Sequence, residues 1–171
     1  MAAPSPKISV AVEPPAAYLK IAGRAAVESS RDFKALVLKL SATGIRYFIL
    51  DLRECLLMDS TFSGVLAGLV ALPSAQPGTP TLCCFTLVQP NERVADLLDN
   101  LGVMPLVQRI QEGDVQTPSV SFEELPPGQH TKAEIATNCL EAHRILMALK
   151  PENVAKFRSL EQTLAAQLTL L

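Results

Sequence analysis

Hydrophobic residues occur in two kinds of pattern along the first 110 residues. Short apolar runs rich in aromatic and β-branched side chains are typical of strands, and apolar residues spaced three and four apart are typical of amphipathic helices. The runs predict strands over residues 8–12, 18–22, 47–52, 81–88 and 104–110. The spaced positions predict helices over residues 29–43, 59–72 and 91–101. The order β-β-α-β-α-β-α-β predicts an α/β fold with a mixed sheet and covering helices.

Residues that begin and end helices flank these segments. Ser29 or Ser30 is a candidate N-cap of the first helix, and Gly44 a candidate residue just beyond its end. Gly102 has the same place after the third helix. The second helix should stop near Leu72, because prolines and a glycine between residues 73 and 80 predict a surface loop.

The most informative stretch is 47–70, which combines a buried strand with the start of a helix. Asp59, Ser60 and Thr61 stand where short side-chain oxygens can accept hydrogen bonds from a first helical turn. Such a position is also favourable for a negative charge, since the helix dipole is positive there. The motif therefore has two interpretations: a plain helix cap, or a cap whose Ser60 hydroxyl is a phosphorylation switch.

The last 61 residues differ from the first 110 in composition and in the pattern of apolar residues. Residues 111–130 are rich in Glu, Gly, Pro, Ser and Gln and predict a linker. Residues 131–171 show two apolar stripes separated by Pro151, which predicts a helical hairpin. We therefore divide the chain into a domain over 1–110, a linker and a C-terminal two-helix extension. The hairpin either docks on its own domain or provides a face for a partner or a homodimer.

Composition narrows the classes of function. The 171 residues carry a net charge of −2 without a basic block, which argues against direct nucleic-acid binding. No apolar run reaches the length of a membrane span and the start lacks a signal-peptide pattern, so we expect a cytoplasmic protein without membrane insertion. Four cysteines without a C-x-x-C pair predict reduced thiols. We expect no metal, no cofactor and, lacking a phosphate loop or nucleophile elbow, no enzyme.

Three short motifs give the chain a family resemblance. The segments Leu50-Asp51-Leu52, Met58-Asp59-Ser60-Thr61 and Gly64-Val65-Leu66 together resemble the signature of STAS domains of the anti-sigma factor antagonist type. The resemblance extends over about residues 7–110. It implies a STAS-like fold and a bacterial signalling protein that regulates transcription through protein–protein interaction.

The resemblance also implies a site. In that family an anti-sigma factor with serine kinase activity phosphorylates the serine at the position of Ser60, and phosphorylation switches the partner. We expect Ser60 to be the phosphorylated residue, with Thr61 as the alternative. The expected partner-binding residues are Asp59, Ser60, Thr61, Phe62 and Ser63.

The chain departs from the family pattern at two places. Phe62 and Ser63 precede Gly64 where the family commonly has a glycine and an aliphatic residue, and Arg24 follows Gly23 where an acidic or polar run is usual. These departures bear on partner specificity. The alternative functions are a STAS accessory subunit of a transport ATPase that is not phosphorylated, or a nucleotide-sensing scaffold.

Overall fold

The computed structural model describes residues 5–71, 83–111, 113 and 117–171. Over these ranges a six-stranded mixed sheet is combined with five α-helices, which confirms the predicted fold class. The strands are β1 Lys7–Glu13, β2 Ala16–Ala25, β3 Tyr47–Met58, β4 Cys84–Val88, β5 Gln108–Ile110 and β6 Glu123–Glu124. Their order in the sheet is β5-β4-β3-β2-β1-β6. The pairs formed by β2 to β5 are parallel, and β1 is antiparallel to both of its neighbours.

The core lies on one face of this sheet. Leu19 and Ile21 of β2 and Leu50 and Leu52 of β3 are fully buried there, as is Leu87 of β4. Alternate residues of a strand point to opposite faces, so these side chains lie on one side and meet the apolar faces of the helices. The helices are α1 Val27–Ala42, α2 Ser60–Ala71, α3 Glu92–Asn100, α4 Lys132–Leu149 and α5 Pro151–Thr169.

Several predicted ends are confirmed and others are wrong. Gly44 and Gly102 follow α1 and α3 with φ of 100° and 81°, values that a residue with a side chain rarely adopts. The prediction that Ser29 or Ser30 caps α1 is wrong, because the helix begins at Val27 after Ala26, which makes no side-chain cap. The predicted loop over 73–80, Leu72, and the first two residues of the predicted strand 81–88 lie outside the described residues.

The last predicted strand is only partly correct. Residues 104–106 form a short 3₁₀ helix, and the strand is limited to Gln108–Ile110. Pro105 explains the difference, since its fixed φ suits a tight turn and it has no N–H to donate to a strand. In the segment predicted as a linker, the two residues of β6 pair with β1, while the division into domains stays a prediction.

The C-terminal hairpin docks on its own domain. Ala142 and Leu146 of α4 and Phe157 of α5 belong to the same buried cluster as the sheet residues. Pro151 is the first residue of α5, as predicted, and the Asn153 amide donates to the carbonyl oxygens of Leu101 and Leu146. The described helices include none that is long and apolar enough to cross a membrane.

Candidate functional site

Asp59 lies between β3 and α2 and caps two helices at once. Its Oδ1 accepts a hydrogen bond from the Phe62 N–H at 2.8 Å, in the first turn of α2. Its Oδ2 accepts one from the Val27 N–H at 2.8 Å, at the start of α1. The two helices therefore begin at the same carboxylate, and the capping oxygen that α1 lacks locally comes from a residue 32 positions away.

The electrostatics of Asp59 follow from this position. Burial raises the pKa of its carboxyl above the ordinary value, although the two backbone hydrogen bonds oppose that shift and nearby Glu28 adds to it. The partly positive ends of α1 and α2 both point at this carboxylate. The most favourable place for an anion is thus already occupied by a side chain of the protein.

Ser60 is the first residue of α2, and its hydroxyl bonds to a histidine of the C-terminal extension. Ser60 Oγ lies 2.8 Å from His143 Nε2. The other ring nitrogen, Nδ1, lies 2.7 Å from the Cys139 carbonyl oxygen, which can only accept. In the neutral ring this contact assigns the proton to Nδ1, and the Ser60 hydroxyl then donates to Nε2. His143 itself is 1% exposed and its ring packs edge-on against Phe157.

Two further polar contacts hold α4 on the starts of α1 and α2. Thr61 Oγ1 lies 3.4 Å from the Cys139 sulfur. The Asn138 amide donates to Ser30 Oγ at 2.9 Å, inside the protein. The serine predicted to cap α1 thus supports the docking of α4 instead.

The helices α2 and α4 approach each other closely at Gly64. A Cβ atom at this position would lie 2.4 Å from the carbonyl oxygen of Ala142 and 2.7 Å from its carbonyl carbon. Carbon atoms in contact are normally about 3.5–4.0 Å apart. Only glycine allows the two helices to pack at this distance.

The predicted site residues are close together, but they differ in access. Asp59 and Ser60 are partly exposed, Thr61 is 5% exposed, and Phe62 and Ser63 are fully buried. The Phe62 ring packs 4.7 Å from that of Phe33 in the core, and the Ser63 hydroxyl donates to the Asp59 carbonyl oxygen. In this arrangement Phe62 and Ser63 support the site from inside the domain, and their role in partner binding stays a prediction.

Asp51 lies on the other face of the sheet, away from this site. Burial acts to raise the pKa of the Asp51 carboxyl, but hydrogen bonds and the charge of Arg53 outweigh it and leave the pKa below its ordinary value. Arg53 holds the carboxylate with two side-chain hydrogen bonds, at 3.0 and 2.7 Å. The sequence placed Asp51 at the end of a strand, whereas β3 continues to Met58.

Comparison with known proteins finds similarity among solved structures. No family model and no characterised protein matches the sequence. Among solved structures, the chain is similar to the anti-sigma factor antagonist SpoIIAA in its unphosphorylated form. The two share 14% identity over 61% of this chain and 89% of that chain, with a TM-score of 0.49. Similarity at this level does not transfer a partner or a modification to this chain.

Sequence reasoning missed the residues that α4 brings to the site. None of His143, Cys139 and Ala142 was predicted to lie at the site. Ser60 and His143 are 83 positions apart, so no local spacing connects them. The available signal was polar: Asn138 and His143 are unusual in the middle of a helix that must bury one face.

Proposed function

We propose that the chain is a regulatory protein-binding module in which phosphorylation of Ser60 switches the surface that α2 presents. The partner would be a bacterial cytoplasmic signalling protein, such as an anti-sigma factor with serine kinase activity. The observation that carries the proposal is the hydrogen bond between Ser60 Oγ and His143 Nε2. It couples the hydroxyl of a partly exposed residue at a helix start to a separate element of the chain.

The chemistry of the switch is a phosphoryl transfer. The Ser60 oxygen bonds to the γ-phosphorus of ATP, the bond to the ADP oxygen breaks, and the hydroxyl proton leaves. The product carries close to two negative charges beside the Asp59 carboxylate. The Ser60 oxygen also loses the hydrogen with which it donates to His143, so the present hydrogen bond is lost.

Ser60 is better suited to this role than Thr61. Ser60 is partly exposed, whereas Thr61 is 5% exposed and its hydroxyl faces the sulfur of Cys139. A kinase must reach the oxygen from solvent. We therefore assign the switch to Ser60 and keep Thr61 as the alternative.

The proposal is tested with extract from the source organism. The full chain and its Ser60→Ala and Thr61→Val variants are incubated with extract and ATP, and their peptides are analysed by mass spectrometry. We expect one phosphate on Ser60 in the wild type and in Thr61→Val, and none on Ser60→Ala. Absence of phosphate from Ser60, in extract that phosphorylates a known kinase substrate of that organism, would contradict the proposal.

Partner switching needs a second measurement. The unphosphorylated and phosphorylated chains are immobilised, and the proteins that each retains are compared. We expect a signalling protein bound to one form and lost from the other. Identical sets would speak against a switch even if Ser60 were modified.

A second candidate is supported by the position of α4. Because α4 lies over Ser60 and Thr61, the site also suits a structural subunit that is never phosphorylated, such as an accessory subunit of a transport ATPase. If the wild type and Ser60→Ala are immobilised in the same way, an ATPase should bind both equally. Homodimerisation through the extension, where Leu160 and Leu171 are exposed, stays a prediction that sedimentation velocity tests.

A further inference from the structure

The hairpin is attached to the domain in two chemically different ways. Near the turn between α4 and α5 the contacts are apolar or fully buried: Leu146 is 0% exposed, and the buried Asn153 side chain bonds to two backbone carbonyls. In residues 138–143 of α4, by contrast, polar side-chain contacts join α4 to α1 and α2. The polar part is the one that covers Ser60.

Exposed ion pairs add little to the polar part. Arg31 pairs with Glu134 and Lys34 with Glu141, each at 3.1 Å, and their side chains are between 35% and 53% exposed. Ion pairs with this exposure contribute little to stability because water screens them. The docking of the polar part of α4 on the domain therefore depends mainly on the buried side-chain hydrogen bonds and on the close packing at Gly64.

The start of α2 is in close contact with α4. Ser60 Oγ and His143 Nε2 are already at hydrogen-bonding distance, 2.8 Å. At Gly64 the backbone of α4 is so near that a single Cβ would overlap with it. The N–H groups of Val27 and Phe62, which could bind an anion, already donate hydrogen bonds to Asp59. A phosphate on Ser60 thus meets a carboxylate, the buried ring of His143 and a closely packed helix.

We propose that the first two thirds of α4, residues 132–143, form an intramolecular cover for the start of α2, and that the docked position of this cover and a phosphate on Ser60 exclude each other. This inference rests on the proposed function only in taking Ser60 as the modified residue. The cover occupies the surface that a partner needs, so phosphorylation exposes the face of α2 around Thr61 and Gly64. The buried turn around Asn153 keeps the released segment attached.

The test uses phosphoserine inserted at position 60 during translation, which requires no kinase. Amide hydrogen exchange of the full chain is followed by mass spectrometry with and without the phosphate. We expect residues 132–143 to exchange at least about tenfold faster, the factor that a 1.4 kcal/mol loss of protection gives. Residues 92–100 of α3 serve as the internal reference and should not change. Equal or slower exchange in 132–143 would overturn the inference.

A matched control distinguishes the effect of the added charge from the effect of the position of the phosphate beside α4. Phosphoserine at Ser159, an exposed position of α5, adds the same charge away from α2 and should leave the exchange of 132–143 unchanged. If the chain with phosphoserine 60 fails to fold, Gly64→Ala provides a second route, because it forces α2 and α4 apart without a charge. Faster exchange confined to α4 supports the cover, and unchanged exchange refutes it.

The two proposals fail in different ways. If inserted phosphoserine releases α4 but no kinase modifies Ser60, the cover stands and the proposed function falls. If a kinase modifies Ser60 while α4 stays protected, the switch works without movement of the cover. In that case the cover is wrong and the proposed function stands.

Discussion

Gly64→Ala should destabilise the protein, although the same substitution normally stabilises a helix. In the interior of an exposed helix, alanine is favoured over glycine by about 1 kcal/mol. At Gly64 the new Cβ would lie 2.4 and 2.7 Å from the carbonyl oxygen and carbon of Ala142, and 2.9 Å from its Cβ. Two of these three atoms are backbone and cannot rotate away.

The magnitude follows from these two opposing effects. Overpacking in a closely packed region costs about 1–3 kcal/mol, and the backbone contact argues for the upper end. Subtracting the helix preference leaves a net loss of about 2 kcal/mol in the free energy of unfolding. For a chain of this size that corresponds to a decrease in Tm of about 4–8 °C, measurable by calorimetry.

Two control variants test the reasoning. The double variant Gly64→Ala with Ala142→Gly removes only the Cβ contact and leaves the carbonyl in place, so we expect incomplete recovery. Gly128→Ala places a Cβ near the side-chain ends of Asp32 and His130, which can move, and should have a smaller effect. A Tm of Gly64→Ala equal to or above that of the wild type would refute the close approach of α2 and α4.

Three further substitutions test the hydrogen bonds of the site and of the fold. Asp59→Ala removes the caps of two helices and should lower the free energy of unfolding by about 2 kcal/mol, about 1 kcal/mol for each cap. Urea denaturation measures this loss, and a loss under about 0.5 kcal/mol would show that the shared cap is not important. Arg53→Met should raise the pKa of Asp51, because burial is then opposed only by the backbone N–H of residue 53 and the charge of Lys20. In the wild type the lowered pKa contributes stability above the ordinary pKa, and this contribution is lost as the pH falls through the lowered value. A carboxyl titration by NMR that gives Asp51 the same pKa in the variant as in the wild type would contradict this account. Asn153→Asp replaces a buried donor by an acceptor facing two carbonyl oxygens and should cost at least about 2 kcal/mol in thermal unfolding, more than Asn153→Ala; the reverse order would be evidence against the two hydrogen bonds.

The sequence predicted the elements whose cause is local. The strand around Phe48 and Leu50 and the stripe of α3 around Leu98 follow from the spacing of apolar residues, and both side chains of the strand and Leu98 are fully buried. Gly44 and Gly102 could be placed for the same reason, since a positive φ at a helix end is a local requirement. The fold class followed from the order of these elements.

Only the part of the site at the start of α2 could be predicted from the sequence. Asp59 and Ser60 were found because capping residues stand directly before the helix that they begin. The partners of both residues come from elsewhere: Val27 is 32 positions away and His143 is 83. Which face of α4 meets α2 depends on tertiary packing, and an apolar stripe gives no information about a polar contact next to it.

The double cap at Asp59 limits which residues this position can tolerate. A substitute must supply two accepting oxygens on a side chain short enough to reach the Phe62 N–H from the adjoining loop. Asparagine and serine each supply only one oxygen in such a position, and glutamate extends one methylene further. In a set of related sequences, aspartate should therefore be retained here even where Ser60 is replaced, because the requirement comes from joining two helices and is independent of any signal.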